Sequence, residues 1–133
     1  MPTDISRAAS ATFAANRAQG AVRFGVHLQD GVTRRGELHE SGSLRVRFSL
    51  PEQEGLSGVF VNTAGGIAGG DRFDIEIAAG ERSRLTLTTA AAEKVYRAPG
   101  PAAQLNIALK AESGAHLSWL PQETILFDRA RIV

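Results

Sequence analysis

The feature that most constrains this chain is a two-residue alternation of apolar and polar side chains that stops and restarts along almost its whole length. Val22, Phe24, Val26 and Leu28 alternate with Arg23, Gly25, His27 and Gln29. Leu44, Val46, Phe48 and Leu50 alternate with Arg45, Arg47 and Ser49, and Phe73, Ile75 and Ile77 with Arg72, Asp74 and Glu76. Leu85 and Leu87, then Leu105, Ile107 and Leu109, then Leu117 and Trp119 repeat the pattern. Successive side chains of a strand point to opposite faces, so a period of two marks a half-buried strand. Residues 32–39, 58–62 and 124–127 add shorter or weaker strand-like runs. Between the runs stand Asp30-Gly31, Ser41-Gly42, Gly80-Glu81 and Ser113-Gly114, residues that accept tight turns, and the breaker Pro99-Gly100-Pro101. Short strands with turn signals every ~8–12 residues predict an all-β fold. The arrangement expected is solenoid-like or β-helix-like, or else a sandwich. Helix is limited to short turns, for which Ala90–Lys94 and the small-residue stretch 1–19 are the candidates.

Composition narrows the function classes. At 133 residues, with 43% hydrophobic and 22% charged side chains, the chain is one ordinary globular domain. A formal net charge of +1 suggests neither nucleic acid nor an anionic membrane surface as partner. Cysteine is absent, which removes disulfides, thiolate metal sites and thiol nucleophiles together. No apolar run approaches the ~20 residues of a membrane span. Met1–Gly20 lacks the apolar segment of a signal peptide, so a cytoplasmic protein is expected. Residues 1–19 are small and polar and are expected to be a flexible extension, with the β-rich domain spanning 20–133. Ile132-Val133 reads as the start of another strand, so the domain is expected to be incomplete at its C-terminal side and poorly soluble in isolation.

The loop between the runs at 58–62 and 71–78 is the most unusual local feature. Gly65-Gly66 and Gly69-Gly70 are separated only by Ile67-Ala68, and Asp71 follows directly. A phosphate-binding loop would need G-x-x-x-x-G-K-[ST] and a helix behind it, and a dinucleotide fingerprint also opens a helix. Here the spacing differs and a strand follows. The four glycines are therefore read as a structural strand-to-strand loop, and Asp71 either braces that loop or lines an aqueous path.

Three segments carry a family resemblance: N-T-A-G-G-I-A-G-G-D at 62–71, T-T-A-A-A-E-K-V-Y-R at 88–97 followed by G-P-A-A-Q at 100–104, and L-S-W-L-P-Q-E-T-I-L-F-D at 117–128. In this order and spacing they resemble the urease accessory protein UreD (UreH) family, whose members are about twice as long. The resemblance implies a non-enzymatic maturation chaperone of β-rich, solenoid-like fold. Such a protein binds apo-urease and, with UreF-like and UreG-like partners, assists nickel insertion into the urease active site. It also implies a polar nickel path, for which Asp71, Glu123 and Glu93 are the candidates. Lys94, Tyr96, Arg97, Trp119, Pro121 and Gln122 match family motifs as partner contacts or framework, Trp119 being more consistent with core. Glu123 has the alternative of a solvated strand end.

His27, His39 and His116 show no ligand-pair spacing, so no firm metal site and no tightly bound cofactor is expected, only transient Ni²⁺. An enzyme built on Asp71, Glu123 and Lys94 has no supporting motif. A β-sandwich ligand-binding module, for carbohydrate for instance, would want exposed aromatics, and the chain has one Trp and one Tyr.

Overall fold

A computed structural model describes residues 17–52 and 55–133. Ten strands form: β1 (Gln19–Gln29), β2 (Val32–Gly42), β3 (Leu44–Phe48), β4 (Leu56–Asn62), β5 (Arg72–Ala79), β6 (Arg84–Thr89), β7 (Glu93–Val95), β8 (Gln104–Ala111), β9 (His116–Leu120) and β10 (Thr124–Leu126). Among the described residues there is no helix, and the all-β expectation holds. Ala90–Lys94 does not make a helical turn. Ala90 and Ala91 bend the chain and Glu93–Val95 is β7, because its backbone groups are engaged by neighbouring segments: the Glu93 N–H by the Glu123 carbonyl and the Lys94 carbonyl by the Ile67 N–H. Alanine's helix preference is worth only tenths of a kcal/mol per residue and yields to such pairing.

The strands sort into two four-stranded sheets, ordered β2-β1-β5-β8 and β3-β4-β6-β9, and a two-stranded third face of β7 and β10. Among the strand pairs of the described residues only the β1–β2 and β3–β4 hairpins are antiparallel. From β5 onward the chain visits the first sheet, the second sheet and the third face, then repeats the circuit. Each strand lands parallel beside its predecessor, with Arg72 opposite Gln104, Arg84 opposite His116 and Glu93 opposite Thr124, an offset of 31–32 residues. β5–β7 thus form one coil and β8–β10 the next, while β1, β4 and the glycine loop supply an earlier one.

The alternation places like side chains in rows across these coils. In the first sheet Val22, Ile75 and Ile107 align, as do Phe24, Ile77 and Leu109. In the second sheet Leu56, Leu85 and Leu117 align. Phe24 meets Phe48 edge-on at 5.0 Å between ring centres, joining the two sheets. Each fully buried Leu, Ile or Phe contributes roughly 1.5–3 kcal/mol, and the core holds Phe73, Ile77, Leu85 and Leu87 almost free of solvent. At the corner where the chain passes between sheets, two buried hydroxyls are satisfied. Ser83 Oγ donates to the Gly80 carbonyl at 2.6 Å, and Thr33 Oγ1 accepts from the Arg84 N–H at 2.9 Å.

The described residues begin inside the expected extension. Residues 1–16 of the expected extension lie outside the described residues. Arg17–Gln19, however, are already docked: the Ala18 N–H donates to Asp71 Oδ1 at 2.8 Å, Arg17 donates to the Gly69 carbonyl, and β1 starts at Gln19.

Candidate functional site

The glycine loop is more than a connection. The Ile67 N–H donates to the Lys94 carbonyl and its carbonyl accepts from Tyr96, a parallel bridge that sets Ile67 beside Val95 on the third face. Ile67, Val95 and Leu126 therefore form one row, with the loop as its first member. Gly66 lies under the Tyr96 ring, where an added Cβ would stand 2.5 Å from a ring carbon, and its φ of +150° is one that L side chains rarely adopt. The Tyr96 hydroxyl donates to the Gly65 carbonyl at 3.2 Å. On its other side the ring meets Phe127 edge-on at 5.1 Å. The loop, Tyr96 and Phe127 thus stack as three successive tiers.

Asp71 closes this loop from within. It is buried, Oδ1 accepting from the Ala18 N–H and Oδ2 from the Ala68 N–H, both at 2.8 Å. Its carbonyl accepts from Gln104. The carboxylate therefore ties the entry of β1 to the glycine loop, and the backbone carbonyl of the same residue adds the start of β8. Hydrogen bonds to a charged acceptor are worth about 1.5–3 kcal/mol each.

Asn62, at the end of β4, organises the other side of the loop. Its Nδ2 donates to the Gly66 carbonyl and to Glu93 Oε1, each at 2.9 Å, and its Oδ1 accepts from the Ala64 N–H at 3.0 Å. Both amide N–H donors and the amide oxygen are thus engaged, and one of these bonds anchors Oε1 of the half-buried Glu93 carboxylate. Beside it lies a cavity of about 230 Å³ between the sheets, with Phe60, Thr89, Glu93, Trp119, Pro121 and Gln122 among its walls. Trp119 packs edge-on against Phe60 at 5.3 Å, and the Gln122 N–H donates to Thr89 Oγ1 at 2.9 Å. The result is a mainly apolar chamber with one fixed carboxylate in its wall.

A family model for the UreD urease accessory protein matches residues 18–133. The chain belongs to the UreD family. It is 81% identical over 123 residues to the urease accessory protein UreD of Bradyrhizobium diazoefficiens, an overlap of 92% of this chain and 45% of that protein. It is 74% identical over 129 residues to the UreD protein of Rhodopseudomonas palustris strain HaA2, covering 97% of this chain and 46% of the relative. The chain thus spans a little under half the length of the curated UreD proteins it matches.

The three UreD-like motifs prove to be neighbours in space. Asn62 comes from the first, Thr89 and Glu93 from the second, and Trp119, Pro121 and Gln122 from the third, all on the one chamber. Of the nickel-path candidates, only Glu93 stands there. Asp71 faces backbone N–H groups in its loop. Glu123 is exposed and adjoins Glu93 through the Glu93 N–H bond to its carbonyl. Lys94 and Arg97 are exposed, and Arg97 bridges to Ala130. Tyr96 is committed to the loop.

Among the described residues, no three His, Cys, Asp or Glu side chains are grouped so as to hold a metal ion. No helix of the described residues is long and apolar enough to cross a membrane. Asn62 and Thr89 lie within the motifs at 62–71 and 88–97 but are not among the candidates the sequence singles out. Their signal is a polar residue closing the C-terminal end of its strand, Asn62 in β4 and Thr89 in β6, ambiguous until the coils are stacked.

Proposed function

We propose that the protein carrying this chain serves urease maturation as a scaffold and not as an enzyme. In this reading it binds apo-urease subunits in the cytoplasm and, with UreF-like and UreG-like partners, assists nickel insertion. The observation that carries it is membership of the UreD urease accessory family across residues 18–133, at up to 81% identity to the relatives described above. Within that role Glu93 is the carboxylate we assign to nickel in transit, because Asn62 orients it toward the chamber on which the three family motifs meet. A hydrated divalent cation is suited by an oxygen ligand it can leave again, whereas a tight Ni²⁺ site would favour imidazole or thiolate. Asp71 is assigned to the framework. The carbohydrate-binding alternative loses support, since Trp119 packs on Phe60 and Tyr96 on Phe127.

The test is co-expression of the tagged chain, and of the full-length Bradyrhizobium diazoefficiens relative, with apo-urease subunits and the UreF-like and UreG-like proteins. Urease retained on the tag, with Glu93→Gln lowering the nickel content of urease several-fold while retention persists, is the expected outcome. Failure of both forms to retain urease would remove the scaffold reading. Undiminished nickel content in Glu93→Gln would remove Glu93 from the path.

A further inference from the structure

The chamber beside Glu93 has walls that are mainly apolar, with Leu44, Phe60, Ile67, Phe73, Ile75 and Trp119 among them. Of the polar side chains that reach it, Gln122 and Thr124 are exposed to solvent, and two more are already engaged. Both N–H donors and the oxygen of the Asn62 amide are bonded. The Thr89 hydroxyl donates to the Ala91 carbonyl and accepts from the Gln122 N–H. Glu93 differs from both. Its Oε1 accepts from Asn62, and among the described residues no ion pair includes it. A negative, acceptor-only group thus borders an apolar space with no cation to offset it, which costs free energy until a positive donor arrives.

Glu93 also stands on a boundary. Together with Phe60, Asn62 and Thr89 it lines a second hollow of about 230 Å³, which reaches Gly65-Gly66 and the bend Ala90–Ala92. Ala90 and Ala91 are exposed, so this hollow is the wet side of the partition. Lys94, the cation next in sequence, lines this outer hollow and not the chamber. One side of the Glu93 carboxylate is therefore apolar and the other within reach of water. A bare divalent ion would fill little of the chamber and meet one carboxylate there. The complementary ligand is an amphiphilic cation, whose head keeps water about it at Glu93 while its stem covers apolar wall.

We propose that the chamber is a binding site for a primary alkylammonium group, its ammonium on Glu93 and its short aliphatic stem along the wall formed by Phe60 and Trp119. A free aliphatic amine and a lysine side chain offered by another protein present this same head and stem. The site follows from cavity shape and charge alone, so it stands apart from the assignment of Glu93 to nickel in transit.

Trp119 is the chain's single tryptophan and part of the chamber wall, so its emission reports entry. n-Pentylammonium chloride, titrated into the 133-residue chain at matched ionic strength, is expected to change that emission saturably. n-Pentanol should bind ~10-fold more weakly or worse, because it lacks the charge-assisted bond. Glu93→Gln keeps an acceptor for Asn62 Nδ2 and removes the charge. It should weaken n-pentylammonium by ~10-fold or more and leave n-pentanol unchanged. Nα-acetyl-lysine N-methylamide separates the two carriers: its saturable binding supports a partner's lysine, and its exclusion while n-pentylammonium binds supports a free amine. The absence of a saturable change with n-pentylammonium overturns the proposal. So does equal binding of alcohol and ammonium by the parent chain, a comparison that needs no variant, or an unchanged ammonium affinity in Glu93→Gln. The nickel content of urease is a separate readout of the same variant, so either assignment of Glu93 can fail alone.

Discussion

The second and third coils are close to a controlled experiment. They carry matched side chains on the same three faces, Phe73 with Leu105, Ile75 with Ile107, Leu85 with Leu117 and Leu87 with Trp119. Yet the second coil is core and the third is partly surface. Alternation therefore declares which face of a strand is apolar, and only the neighbouring strand decides whether that face is dry. Burial in this architecture belongs to the stack and not to the individual coil, because each coil covers its predecessor.

The largest effect should come from breaking one row in the two places. Ile77→Ala removes a fully buried side chain and is expected to cost about 2–5 kcal/mol, whereas Leu109→Ala should cost under about 1 kcal/mol in the 133-residue chain. Urea midpoints of the two variants check this, and equal losses would mean that the third coil is as well packed as the second.

A smaller contrast lies within the glycine loop. Gly66→Ala drives a Cβ into the Tyr96 ring and should cost about 1–3 kcal/mol, with loss of the Tyr96–Phe127 contact. Gly65 also has positive φ, +78°, but open space around its missing Cβ. Gly65→Ala should therefore cost only the backbone strain, roughly 1 kcal/mol. Thermal melts and tyrosine fluorescence distinguish the two, and indistinguishable variants would remove Tyr96 from the argument.

The smallest effect concerns acid. On the outer face of the first sheet the Asn106 amide donates to Asp74 Oδ1 at 2.9 Å and Arg72 donates to Oδ2 at 3.1 Å. These bonds, the Asn106 one foremost, hold the carboxyl below its ordinary value of 3.8. A lowered value means that the native state keeps the proton off more readily than the unfolded chain. The stabilisation is then complete well above pH 3.8 and is lost as pH falls through and below that value. The Asp74 side chain is 44% exposed and solvent screens its bonds, so the loss is small. Urea midpoints from pH 5 down to pH 2.5 should fall less steeply in Asp74→Asn, and parallel curves would show that the β5–β8 bridge carries no linkage.

Most strands were legible in the sequence because alternation is a local property: β1, β3, β5, β8 and β9 can be read from their own residues. Their partners were not legible. The parallel neighbours of the second and third coils lie 31–32 residues apart, those of the first and second 29 or 53, and the repeat that relates them is one of side-chain type, Leu85 to Leu117 or Tyr96 to Phe127, with little identity. The run Ala90–Lys94 reads as a helical turn from its Ala-Ala-Ala-Glu-Lys composition, whereas the strand β7 that overlaps it takes its character from pairing with Ile67 and Glu123. The site divided in the same way. The motifs point to Glu93, Trp119, Pro121 and Gln122, and the local bracing of the glycine loop by Asp71 is also readable there, while the orienting role of Asn62 and the Asp71 bond to Ala18 depend on contacts across 31 and 53 residues. Such contacts have no local signature.

The antiparallel hairpins have one further consequence. Because β2 and β3 run against their neighbours and finish one edge of each large sheet, the molecule has a direction, with a closed end and an open end. A ribosome releasing the chain would complete the closed end first, so each new circuit emerges onto a finished template. Were two such chains to meet by their open ends, each would cover the other and leave only closed ends outward. Association of that kind stops at a pair and gives no fibre.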